Sequence, residues 1–141
     1  LPNNLFPYIL RVLAGRLDYL PIYGAEYETS DGTGERDYVH VMDLARGQVL
    51  AFEKAIQNTG VSLYNMGTGC AHSVMDVIRV FEEITGKKIA CRLAPRREGD
   101  VSVSVASTTK AENELGWKAT LSLREMCEDA WRWQKMNSTG Y

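Results

Sequence analysis

Apolar positions along this chain switch repeatedly between a helical period and a two-residue period. Leu5, Ile9, Val12 and Leu13 fall at i, i+4, i+7 and i+8, one face of a helix that Asn4 can cap and Gly15 can end. Leu20-Pro21-Ile22-Tyr23 reads as a short strand, placed on an edge because Pro21 has no N–H to give a ladder. Residues 24–35 are expected to form a loop tightened by Asp31-Gly32-Thr33-Gly34, and residues 37–41 a second extended piece. Asp43 is expected to cap a helix reaching about Gln57. Within it Gly47, Ala51 and Ala55 leave a smooth stripe, and a glycine that costs ~1 kcal/mol in a helix predicts close packing there. Ser62-Leu63-Tyr64-Asn65 reads as a strand leading into a turn at Gly67-Thr68-Gly69.

Ser73 is expected to cap an amphipathic helix that buries Val74, Val77, Ile78, Phe81 and Ile84 and stops at Gly86. Ile89, Cys91 and Leu93 alternate with Ala90, Arg92 and Ala94, the pattern of a half-buried strand. After the loop Arg96-Arg97-Glu98-Gly99-Asp100, Val101, Val103 and Val105 alternate with Ser102 and Ser104. A short helix is expected from Thr109 to Leu115, ended by Gly116. Ser122 and Glu125 form a capping box for a last helix with Leu123, Met126, Ala130 and Trp133 on one face. The fold class is α/β, a small mixed domain of about four short strands and five helices.

A length of 141 residues suits one domain, burying roughly 70% of its unfolded surface. With 45% apolar and 24% charged residues the chain is globular rather than disordered, collagenous or coiled-coil. A net charge of −2 offers no basic excess for nucleic acid. No apolar run approaches the ~18 residues of a membrane span, and the first residues lack a signal-peptide layout. Three cysteines without CxxC spacing fit reduced thiols, so a cytoplasmic location is expected. A first residue of Leu1 rather than Met suggests a piece of a longer protein.

Reaction-centre motifs are missing. The dinucleotide fingerprint would need glycine three places after Gly69, where His72 stands, and none of the seven tyrosines has Lys four places later. No GxxxxGK[ST], HExxH or GxSxG occurs, and Cys70 and His72 have no second pair to complete a zinc site. No catalytic, cofactor-binding or metal-ligating residue is therefore expected in this chain. Ligand-binding candidates remain. Arg36 follows the Gly32–Gly34 turn, and Arg96 and Arg97 precede Asp100. Two guanidiniums converging from separate loops suit a pyrophosphate, and a nearby carboxylate such as Asp100 can accept from both ribose hydroxyls. Spacing alone favours plain surface ion pairs, Arg36–Asp37 and Arg97–Asp100. Tyr23 can stack on a base or sit in the core, Asn4 can meet a phosphate or cap its helix, and His40 reads as a hydrogen-bonded structural residue.

The order of blocks adds more. Asn3-Asn4-Leu5, Asp31-Gly32-Thr33-Gly34, Arg36-Asp37-Tyr38-Val39-His40-Val41, Tyr64-Asn65-Met66-Gly67-Thr68-Gly69, Arg96-Arg97-Glu98-Gly99-Asp100 and Trp131-Arg132-Trp133-Gln134 occur in sequence. Together they resemble the C-terminal, substrate-binding part of the UDP-glucose 4-epimerase (UDP-galactose 4-epimerase) family, which are extended short-chain dehydrogenases. The resemblance covers essentially the whole chain. It implies one C-terminal UDP-sugar-binding domain over residues 1–141, with the N-terminal NAD-binding Rossmann domain absent from this chain. Asn4 and Leu5 would lie against the diphosphate and nucleotide, Pro21, Ile22 and Tyr23 beside uracil, Arg36 and Arg97 on the diphosphate, and Asp100 on the ribose. Ser104, tyrosine in some relatives, would leave room for an N-acetyl group, admitting UDP-N-acetylhexosamines beside UDP-glucose and UDP-galactose. In the intact family NAD oxidises and re-reduces C4 of the hexose in galactose metabolism, a tyrosine of the Rossmann half acts as base, and the enzyme is a homodimer. This chain alone would be inactive. The smooth Gly47-Ala51-Ala55 stripe would face the Rossmann half. Two alternatives stay open: another nucleotide-sugar short-chain enzyme, such as a dehydratase or decarboxylase, and a stand-alone binding module.

Overall fold

The computed structural model describes residues 4–138; Leu1, Pro2, Asn3, Thr139, Gly140 and Tyr141 lie outside the described residues. Chain order is α1 (Leu5–Leu13), β1 (Leu20–Tyr23), β2 (Glu35–Arg36), α2 (Val41–Ala55), β3 (His72–Ser73), α3 (Val74–Thr85), β4 (Cys91–Ala94), β5 (Val103–Ser104), α4 (Thr109–Leu115) and α5 (Leu123–Met136). Pro7 sits in the first turn of α1, where a missing N–H costs no helical bond. Asn4 stands at the cap position in extended conformation, yet its side chain makes no capping bond.

Helices α1, α3 and α5 pack over β1, which pairs in parallel with β4 from Leu20 opposite Cys91 to Tyr23 opposite Ala94. The core joins Ile9 and Leu13 of α1, Leu20 and Ile22 of β1, Val77 and Phe81 of α3, and Met126 and Cys127 of α5. Each fully buried large side chain contributes about 1.5–3 kcal/mol of hydrophobic stabilisation. Phe6 continues this core outward, its ring edge-on to Phe81 at 5.3 Å and tilted against Tyr38 at 5.7 Å. A second sheet has the order β3-β2-β5, with β2 antiparallel to β3 and parallel to β5. It holds Arg36 between His72 and Ser104.

The capped helices match the sequence pattern closely. Ser73 with Asp76, and Ser122 with Glu125, form capping boxes, and α3 and α4 end at Gly86 and Gly116. Several expectations need correction. The extended piece expected over residues 37–41 forms no strand: the pairing lies just before it, at Glu35–Arg36, and Val41 already starts α2. His40, not Asp43, caps α2: its Nδ1 accepts from the Met42 N–H at 3.1 Å, while its Nε2 meets Asp129 at 3.3 Å. Asp43 is instead fully buried one turn in, where its carboxylate accepts the amides of Thr120 and Leu121. Gly47 faces this chain's own residues, since a Cβ there would lie 2.6 Å from Met66 Sδ and 2.8 Å from Trp117 Nε1. The strand expected at 62–65 does not form, because no neighbouring strand offers it a ladder. Strand β4 is an exposed edge rather than half-buried, with both Cys91 and Leu93 facing outward. Trp133, expected on the buried face of α5, is partly exposed, and Cys127 takes its place in the core.

Candidate functional site

A cleft of about 560 Å³ opens where the N-terminus of α1, strand β1 and the loops around Arg36 and Arg97 meet. Asn4, Leu5, Pro21, Ile22, Tyr23, Arg36, Arg97 and Asp100 all line it. Ser104 does not: it lies on β5, one strand over from Arg36, with its side chain exposed and its carbonyl accepting from the Asp37 N–H at 3.0 Å.

Each charged group reaches the cleft by a traceable route. Arg36 extends from the central strand of the second sheet, where Nη1 donates to the Glu35 carbonyl at 2.8 Å and Nη2 to Asp100 Oδ1 at 2.6 Å. This pair spans 64 residues, whereas the local Arg36–Asp37 and Arg97–Asp100 pairs expected from spacing do not form. Arg97 lies over the Tyr23 ring with Cζ 3.9 Å from its centroid, and its guanidinium makes no hydrogen bond among the described residues. Its donors thus remain available for an anion, while the aromatic face holds the cation in place. Two guanidiniums and one carboxylate leave the cleft net positive, as an anionic ligand requires.

Tyr38 and Tyr27 also line the cleft, and neither was singled out from the sequence. Tyr38 had a usable signal, because it follows Arg36 by two places and so shares its face in extended backbone. Burial pushes its phenol up to about 12 against the opposing pull of the Arg36 guanidinium, so it stays a neutral hydrogen-bond donor. Tyr27 gave no local signal, since it stands in a loop far along the chain from its partners.

Asp37 explains what the Gly67-Thr68-Gly69 turn does. Its carboxylate accepts the amides of Thr68 at 2.7 Å, Gly69 at 3.0 Å and Ala106 at 3.2 Å, and the Thr68 hydroxyl at 2.6 Å. Burial alone would raise this carboxyl, but those donors together hold it below the usual carboxylate range. A dinucleotide pyrophosphate needs such amides unoccupied. The turn is already filled by this chain's own anion, so these residues do not fit NAD.

No helix among the described residues is long and apolar enough to cross a membrane. Cys70, Cys91 and Cys127 are free thiols.

The profile of the family described as GDP-mannose 4,6 dehydratase matches residues 1–130. A Bacillus subtilis protein named UDP-glucose 4-epimerase is 49% identical over the whole chain, which covers 42% of that relative. A human protein of the same name is 48% identical, again over the whole chain and 40% of its own length. The chain thus spans about two fifths of the curated relatives it matches. Among solved structures, UDP-glucose 4-epimerase from Bifidobacterium longum in complex with NAD+ and UDP superposes with a TM-score of 0.94 at 44% identity, covering 99% of this chain and 42% of that one. The fold is thus that of the C-terminal part of an extended short-chain dehydrogenase. By the family profile and by this likeness, the chain belongs to the GDP-mannose 4,6 dehydratase family of extended short-chain dehydrogenases and is similar to its UDP-glucose 4-epimerases.

Proposed function

We propose that this chain is the UDP-sugar-binding domain of a UDP-glucose 4-epimerase, which binds uridine diphosphate and orients the hexose for chemistry at C4. The observation that carries the reading is the convergence of Arg36, Arg97 and Asp100 with Asn4, Leu5, Pro21, Ile22 and Tyr23 on one cleft. Arg97 and Arg36 clamp the diphosphate, Asp100 accepts from the ribose, and Asn4, whose side chain is not spent on capping, faces the diphosphate. Pro21, Ile22 and Tyr23 lie along uracil. The hexose of UDP-glucose or UDP-galactose then runs past Arg36 towards Ser104, whose small side chain leaves space for the N-acetyl group of a UDP-N-acetylhexosamine.

Oxidation and re-reduction at C4 belong to NAD on a separate N-terminal Rossmann domain, in the setting of galactose metabolism and as a homodimer of the whole protein. Alone, the chain is inactive, because it supplies binding and orientation without a redox centre. Two features support a partner domain. Helix α2 turns Met42, Val49, Phe52 and Ile56 outward as an exposed stripe of heptad spacing. Residues 61–66 then expose Val61 and Leu63 with no main-chain hydrogen bond to any described residue. The docking face is this outer side of α2 rather than the side of Gly47, which Met66 and Trp117 fill.

Calorimetric titration with UDP and ADP tests the reading. UDP is expected to bind at least about ten-fold tighter, and Arg97→Gln to lose about ten-fold or more of that affinity, as for a hydrogen bond to a charged group. Equal affinity for the two nucleotides, or an Arg97→Gln variant that binds UDP as well as the parent, overturns it.

A further inference from the structure

We infer that Tyr27 and Arg96 are positioning residues for Asp100, holding its carboxylate so that both oxygens face the two ribose hydroxyls of a bound nucleotide. The inference rests on the reading of the cleft given above and adds two side chains to it.

Asp100 is held at both carboxylate oxygens and at its main chain, where its N–H also donates to the Arg97 carbonyl at 3.3 Å. Arg36 Nη2 donates to Oδ1 at 2.6 Å, the Tyr27 hydroxyl donates to Oδ2 at 3.4 Å, and Arg96 Nη2 donates to the main-chain carbonyl at 2.6 Å. The Arg96 guanidinium also lies over the Tyr27 ring, 4.5 Å from its centroid. One aromatic side chain therefore fixes Asp100 twice: directly through its hydroxyl, and indirectly through the cation stacked on its ring. Arg96 and Arg97 divide the labour of their loop. Arg97 lines the cleft, whereas Arg96 lines a separate hollow with Gly24 and Ala25.

Tyr27 is itself well held. It is 6% exposed, and its N–H donates to the Gly32 carbonyl at 3.0 Å. Its ring packs on Gly24, where φ is +80° and an added Cβ would come within 2.5 Å of Tyr27 Cε2. No residue with a side chain at position 24 leaves the ring in this place.

An ionised carboxylate has about four acceptor sites, two on each oxygen. Arg36 takes one on Oδ1 and Tyr27 one on Oδ2, which leaves one on each oxygen. That remainder is the arrangement a vicinal diol can use, one hydroxyl to each oxygen. The Tyr27 contact is long for an O–H···O bond, so it sets the tilt of the carboxylate rather than clamping it. Without it the carboxylate is free to rotate about its single tether to Arg36.

The test compares UDP with 2′,3′-dideoxyuridine 5′-diphosphate, titrated calorimetrically into the parent chain, Tyr27→Phe and Arg96→Gln. Tyr27→Phe keeps the ring, its packing on Gly24 and the Arg96 stack. It is expected to weaken UDP by about three- to ten-fold while leaving the dideoxy nucleotide unchanged. Arg96→Gln, on an exposed side chain, is expected to shift the ratio the same way and serves if Tyr27→Phe fails to fold. A parallel loss for both nucleotides means Tyr27 only supports packing, and that overturns the inference, as does an unchanged ratio in both variants. A parent that binds UDP but does not distinguish it from the dideoxy form overturns the role of Asp100 and the inference with it, while leaving the rest of the cleft reading standing. A parent that does not prefer UDP over ADP overturns the cleft reading itself.

Discussion

Replacing Asp43 with alanine should cost this domain a large share of its stability, and the amount follows from its bonds. The carboxylate is fully buried at the start of α2 and accepts the Thr120 amide at 3.0 Å, the Leu121 amide at 2.9 Å and the Thr120 hydroxyl at 3.1 Å, with the Arg46 guanidinium against it. Beside it, the Asp43 carbonyl accepts Trp117 Nε1 at 2.8 Å, so the segment after α4 is tied to α2 at both ends. Alanine leaves two amides without their acceptor. Each orphaned group costs about 1–3 kcal/mol while it stays buried. Thr120 is exposed, so water can recover its amide, and the net loss should be about 2–4 kcal/mol out of a typical 5–15. At about 4 °C per kcal/mol, the Tm should fall by about 8–16 °C near neutral pH, read by calorimetry or circular dichroism. Acid supplies a second arm. Burial alone would raise the Asp43 carboxyl, but the Leu121 and Thr120 amides, Arg46 and the Thr120 hydroxyl together hold it below its ordinary 3.8. A carboxyl depressed in the folded state stabilises fully above its unfolded value and loses that contribution as pH falls through the folded one. The gap between parent and variant should therefore be widest near neutrality and close below about pH 4. A Tm drop under about 2 °C, or a gap undiminished in acid, would refute the reasoning.

Gly47→Ala gains about 1 kcal/mol of helix propensity but drives a methyl into Met66 and Trp117. Trp117 cannot yield without losing its bond to Asp43, so the urea midpoint should fall by the equivalent of about 1 kcal/mol. Burial pushes the Cys127 thiol up to about 12 and leaves it inaccessible. A maleimide near neutral pH should label exposed Cys70 and spare Cys127 until denaturant is added, as mass spectrometry will show. In an intact epimerase carrying this domain, Ser104→Tyr should lower turnover of UDP-N-acetylglucosamine relative to UDP-glucose by about ten-fold or more; an unchanged ratio removes Ser104 from specificity.

Local chemistry explains which elements could be read from the sequence. Helices α3 and α5 carry their own caps, Ser73 with Asp76 and Ser122 with Glu125, so their starts were legible within one short window. The start of α2 was not, because the residue with cap propensity, Asp43, is not the one that caps it. Asp43 has the better propensity, but its carboxylate is claimed by amides 77 and 78 residues away, leaving His40 to cap. In α5 the buried face is shifted from the one expected, since Cys127 and Gln134 are buried while Trp133 is partly exposed.

The site divides along the same line. Arg36, Arg97 and Asp100 could be named because a known family keeps them in recognisable blocks, but their pairing could not. Spacing favoured neighbours, Arg36 with Asp37 and Arg97 with Asp100, since local ion pairs need no fold. The structure instead sends Asp37 to the Gly67–Gly69 turn, and this releases Arg36 to reach Asp100. One carboxylate closing the turn that would otherwise suit a phosphate, and one arginine thereby freed for the cleft, are two sides of a single arrangement. The unpaired residues 61–66 mark the opposite limit. Ser62-Leu63-Tyr64-Asn65 reads as a strand in the sequence, but a strand needs a neighbour, and no strand among the described residues pairs with it.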